Sequence, residues 1–83
     1  MNGLKYKGLT VAERVVVYFE LAKDATLMST QNEMVAAAIA LLILLQDSDI
    51  DNKAVANRLR KEAERCGIIS TAVMSAIDGI ERG

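Results

Sequence analysis

The chain has 83 residues, a net charge of −1 from ten basic and eleven acidic side chains, 52% hydrophobic residues, no Pro and no His. That length allows one domain, whose lone core supplies only about 3–5 kcal/mol unless a disulfide, a metal or a second subunit helps. Cys66 has no partner within the chain, one Cys without His removes the usual zinc and haem ligand sets, and near-neutral charge removes the general positive field of a nucleic-acid binder.

Met1 to Leu9 places Gly3, Gly8, Lys5 and Lys7 around Leu4 and Tyr6, a pattern that predicts a loose, flexible N-terminal arm over residues 1–9. It has no Lys/Arg-led apolar segment with a cleavage site, so a cytoplasmic chain with no membrane anchor is expected. The remainder, residues 10–83, reads as a single helical domain. Thr10 followed by Glu13 is a capping box, in which hydroxyl and carboxylate each satisfy an amide of a first helical turn. A first helix is therefore expected over 10–23. Val15 to Phe19 is strand-like by propensity, yet Ala12-Glu13-Arg14 and Glu20 to Lys23 flank it with helix formers, and no second strand is available to pair with it. Val11, Val15, Tyr18, Phe19 and Ala22 would share its buried face.

Thr30 and Glu33 form a second capping box and predict a helix over 31–46. Within it, Met34 to Leu45 is an unbroken apolar run. Twelve such residues fall short of the roughly 20 a membrane span requires, and a helix apolar all round is normally interior, so this helix is expected at the centre of the fold. The other helices offer limited stripes to cover it, which leaves part of it for a two-fold mate and predicts a homodimer. Leu41, Leu44 and Leu45 are the expected interface residues, with Val16 and Val17 as alternates.

Asp47, Asp49 and Asp51 stand at the first, third and fifth positions of a calcium loop, but Asn52 replaces the required Gly and Arg58 replaces the bidentate Glu. A turn with Asp49 or Asp51 as N-cap of a third helix, 52–65, is the better reading. That helix has a narrow stripe of Val55, Leu59, Ala63 and Cys66. Its charges sit at salt-bridging separations, Arg58 with Glu62, Arg60 with Glu64 and Lys61 with Glu64. Arg58, Lys61 and Arg65 are the candidates for contacting a partner or phosphate. Gly67 should close the helix in the left-handed conformation, and Ser70 or Thr71 should start a fourth over 72–81 that buries Val73, Ile77 and Ile80.

Residues 62–78 also place Ala63, Gly67 and Val73 at helix-turn-helix spacings. Thr71 to Asp78 offers only Thr71, Ser75 and Asp78 to base edges, so DNA reading is the lesser alternative. Cys66 ends an apolar stripe and reads as a buried inert thiol rather than a redox group. Without His, a nucleophile elbow or a Gly-rich phosphate loop, no enzyme and no cofactor is expected.

Tyr18-Phe19 ending the first helix, Thr30-Gln31-Asn32-Glu33 opening the second, the aliphatic run, the Asp-rich turn to Asn52-Lys53 and Leu59 of the third helix together resemble the small enterobacterial biofilm and acid-resistance regulators of the YmgB/AriR group, with its YcgZ-type connector proteins. The resemblance spans about Val17 to Ile80 and rests on pattern and order. It implies a small all-helical homodimer that binds a signalling protein as a connector in two-component phosphorelay control, with DNA association as a further option. It brings no catalytic residues.

Overall fold

In a computed structural model, the chain is described over residues 3–48 and 50–83, with side chains from Thr10 onward. Met1 and Asn2 of the expected arm, and Asp49 as calcium ligand or N-cap, lie outside the described residues. The fold is all-α: α1 (Gly3–Asp24), α2 (Met28–Leu45), α3 (Asn52–Arg65) and α4 (Thr71–Arg82). The strand-like Val15 to Phe19 lies inside α1, because a lone β-prone run with no partner strand leaves its backbone polar groups unpaired, whereas a helix satisfies them locally.

Two of the four helix starts correct the sequence reading. α1 begins at Gly3, seven residues before Thr10, so the helix runs through the segment expected as an arm. Once a helix is nucleated by docked residues, each added residue gains a backbone hydrogen bond at little further cost, and this outweighs a local cap. α2 begins at Met28, with Leu27 at the N-cap in extended conformation and without a side-chain cap bond. Thr30 therefore sits within the first turn. Here Gln31 replaces the capping box as the polar anchor: its Nε2 donates to the Ala22 carbonyl at 3.3 Å, tying the start of α2 to the end of α1.

The later half follows the local chemistry closely. Asp51 accepts a hydrogen bond from the Ala54 amide at 3.1 Å as N-cap of α3. Gly67 is left-handed at φ 67, and the Ile68 and Gly67 amides donate to Ala63 and Glu64 carbonyls at 2.9 and 3.1 Å. That pair of bonds is the Schellman motif, which satisfies the last carbonyls of α3. Ser70 accepts from the Val73 amide at 3.3 Å and caps α4.

α1 packs on α2 and α3, and α4 packs on the same two, so the helices form a ring in the order α1, α2, α4, α3 around one core. Phe19, Leu42, Leu45, Leu59, Ile77 and Ile80 are fully enclosed there, with Val15 and Val73 beside them. The expectation that α2 lies at the centre is corrected by this arrangement. It is one wall of the ring and buries only Ala38, Leu42 and Leu45, which recur at i, i+4 and i+7 on a single stripe. α1 buries a wider arc that takes in Ala12, Val15, Val16, Phe19 and Ala22, with Val11 and Tyr18 half-buried at its edge.

Candidate interaction surface

The outer side of α2 is apolar and open to solvent. Ile43 and Leu44 are 56% and 57% exposed, Ala36 and Ala40 are exposed, and Ala37 and Leu41 are half-buried beside them. On a helix these six residues form one band centred on Ala40, because steps of three and four return to the same side. From Met34 to Gln46 the helix carries no charged residue. On α1, Val17 and Leu21 are also about half exposed and border a shallow depression with Arg14 and Tyr18.

Two of the five expected interface residues are therefore misplaced. Leu45 is fully buried and Val16 nearly so, both within the core of the same chain. Leu45 is one turn from Leu41 but three residues from Leu42, which puts it on the core stripe. Val16 and Val17 are 100° apart around α1, enough to turn one inward and the other out. Leu44 and Val17 are exposed, and Leu41 sits at the band's edge. Sequence reasoning missed Leu21, Leu27, Met28, Ile43 and Ile69. The last is 99% exposed, and its position in the short extended elbow after Gly67 was the signal available. A cleft of about 550 Å³ lies beside it, between Gln31, Asn32 and Val35 of α2 and the Gly67–Ala72 elbow.

Arg58, Lys61 and Arg65 do come together, along one shallow depression on the outer face of α3 with Asn57 and Glu62. For Arg58 and Arg60 the expected partners within α3 are replaced by carboxylates on other helices. Arg58 makes a two-pronged contact with Glu13 of α1, at 2.5 and 3.2 Å. Arg60 bridges Asp78 at 2.6 Å and Glu81, both on α4. Arg65 holds Glu62 at 2.6 Å and approaches Glu20 of α1 at 3.7 Å. None of the pairings Arg58–Glu62, Arg60–Glu64 or Lys61–Glu64 forms an ion pair among the described residues, because the ring brings carboxylates of α1 and α4 alongside α3. The Arg58 hydrogen bond holds the Glu13 carboxyl below its ordinary value, and the guanidiniums of Arg58, Arg60 and Arg65 are each held above theirs by their carboxylate partners.

This neutralisation bears on the helix-turn-helix alternative. A phosphate contact gains its affinity by releasing counterions from the nucleic acid, and here each guanidinium would first have to leave a carboxylate of its own chain. The exposed side of α4 shows Thr71, Ala72, Ser75, Asp78 and Arg82, a poor set for reading bases. Cys66 is buried. Among the described residues no group of three His, Cys, Asp or Glu is placed to hold a metal ion, and Asp51 is occupied as a cap.

The fold and its surface define a class, a small four-helix all-α domain with an open, uncharged helix band and a basic face whose arginines are engaged in internal ion pairs. Compared with known families, characterised proteins and solved structures, the chain matches none.

Proposed function

We propose that this chain is a small, non-enzymatic regulatory adaptor of the cytoplasm that works by binding other proteins, in the manner of the phosphorelay connectors it resembles. One observation carries the reading. Seven large apolar residues, Val17, Leu21, Leu27, Met28, Ile43, Leu44 and Ile69, are about half exposed or more on an 83-residue chain, whereas exposed apolar patches of more than a few hundred Å² on soluble monomers generally mark interaction sites. They lie on two distinct places, the α1–α2 hairpin and the α3–α4 elbow, which suits a connector that holds more than one surface at once. Each arginine of α3 is held by a carboxylate of its own chain, which a phosphate would have to displace.

The reading is tested by in-cell crosslinking followed by mass identification of captured proteins, comparing the wild-type chain with Ile69→Asp. A response regulator or sensor kinase captured by the wild type and lost with Ile69→Asp is the expected result. Binding to random duplex DNA that is strong at low salt and falls steeply as salt rises would overturn it in favour of a DNA regulator.

A further inference from the structure

We infer that the groove between α2 and α4 receives an amphipathic helix of another protein, lying antiparallel to both and carrying an acidic residue in its first turn. This rests on the adaptor reading above and names the form of the partner. α2 and α4 run side by side in the same direction: Asn32 and Val35 stand by Ala72 at one end, and Gln46 reaches Ala76 and Gly79 at the other. The cleft beside Ile69 is therefore one end of a longer groove. A second cavity of about 400 Å³ continues it from Ala72 to Arg82, alongside Ile39 and Ile43. From Asn32 to Gln46 the groove is about 21 Å long at 1.5 Å per residue, which matches about four turns of a helix.

Its walls decide what fits. The α2 side is Val35, Ile39 and Ile43, and Ile69 stands almost wholly exposed at the mouth. The α4 side is Ala72, Ser75, Ala76 and Gly79, which recur at steps of three and four and let a third helix come close. Large aliphatic side chains at i, i+4, i+7 and i+11 of an incoming helix fill the space between. An extended segment finds no strand edge to pair with along the groove, because the backbone groups of α2 and α4 are bonded within their own helices. Arg82 is the one charged residue lining the groove, and it has no ion-pair partner among the described residues. It stands where α2 and α4 both end, so the parallel pair gathers its negative carbonyl ends there. The favourable neighbour of those ends is the N-terminus of an antiparallel helix, and an acid in its first turn meets Arg82 while stabilising its own helix. None of the four helices of this chain has an acidic residue in its first turn, so a second copy does not supply the occupant.

The probe is a synthetic fluorescein-labelled peptide of about 14 residues, with Glu in its first turn, Leu at those four spacings, and Ala and Gln elsewhere. Fluorescence anisotropy with the full chain should show saturable binding. Replacing the Glu by Lys should weaken it by roughly fivefold, the scale of a partly exposed ion pair, and Arg82→Glu should reverse that preference. Moving the Glu to the last turn should remove the preference, and an undiminished one would overturn the antiparallel direction. Ser75→Trp fills the groove from an exposed position of α4, so it should keep the wild-type helical signal and melting temperature while weakening peptide binding by more than about tenfold. Leu44→Gln, on the open band outside the groove, should leave binding unchanged. Loss with Leu44→Gln and retention with Ser75→Trp would move the peptide to the band and overturn the groove, as would an absence of saturable binding. The adaptor reading is tested separately. A partner captured in cells by the wild type, lost with Ile69→Asp and retained with Ser75→Trp, would overturn the groove and leave that reading intact. Self-association of the wild type that Ser75→Trp abolishes would make the occupant a second copy and overturn the foreign helix.

Discussion

Gln46 Nε2 donates to the Ala76 carbonyl at 3.2 Å, and the same side chain lies over Gly79, where an added Cβ would stand 2.5 Å from that nitrogen. Gln46 is the residue after α2 and Gly79 is inside α4, so the contact pins the end of one helix to the middle of another. Glycine inside a helix costs about 1 kcal/mol relative to alanine, and here that cost makes room for the amide. Gln46→Ala should destabilise by about 0.5–1.5 kcal/mol through loss of the hydrogen bond. Gly79→Ala alone should give little change, because the helix gain is offset by displacing Gln46. In the Gln46→Ala background the same change should stabilise by about 1 kcal/mol. A double-mutant cycle by urea unfolding reads the coupling, and additive effects would show that the two residues do not act together.

Leucines one turn or less apart on α2 should respond oppositely. Leu42 is fully buried and Leu44 is 57% exposed. Leu42→Ala should cost about 2–5 kcal/mol, and Phe19→Ala, which empties the middle of the ring, about 3–5 kcal/mol. Losses of that size approach the total stability of a small domain, so Phe19→Ala should lose most of its cooperative thermal transition by circular dichroism. Leu44→Ala, a change at an exposed position, should shift stability by no more than about 0.5 kcal/mol when unfolding is measured at submicromolar concentration. A cost for Leu44→Ala equal to that of Leu42→Ala under those conditions would contradict the assignment of α2's faces.

Gly67 holds φ 67 with nothing within 4 Å of where a Cβ would stand, so a substitution there meets only backbone strain. Gly67→Ala should cost about 1–2 kcal/mol, and Gly67→Asn less, because Asn tolerates the left-handed region. Melting temperatures of the three chains should rank Gly, Asn, Ala from highest to lowest. If alanine equals glycine, the Schellman closure of α3 is not formed.

Glu13 and Arg58 join α1 to α3 across the surface, and the pH dependence of that contact has a defined sign. The folded-state pKa of Glu13 is lowered below the ordinary 4.5 chiefly by the Arg58 hydrogen bond. The contribution is thus fully present above 4.5 and is lost as pH falls through the lower folded value. Both side chains are well exposed, Arg58 at 46% and Glu13 at 62%, so screening limits it to a few tenths of a kcal/mol, the ordinary range for a surface pair. Glu13→Gln should lower the urea midpoint slightly at pH 7 and by less at pH 3, and high salt should shrink the difference. A difference that grows on acidification would mean that the Glu13 carboxylate is not stabilised by Arg58 in the folded chain.

The number of helices, and the ends of those built on local chemistry, were legible in the order of residues alone. α3 and its closure could be read because Asp51, Gly67 and Ser70 act on backbone groups within a few residues of themselves, where the chain places donor and acceptor together. α1 and α2 began early because a capping box is only a local preference, and helix continuation with tertiary docking overrode it at Thr10 and Thr30. Which side of an all-apolar helix is inside was settled by packing and by nothing local. The sequence reading put Leu44 and Leu45 together at an interface and passed over Leu42, since periodicity has nothing to measure where every residue is apolar. Contact with α1 and α4 separated them, burying Leu42 and Leu45 and leaving Leu44 in the open band. The arginines of α3 were decided in the same way: their charge was evident from the sequence, but their partners stand up to 45 residues away, and only the folded ring brings those carboxylates within reach.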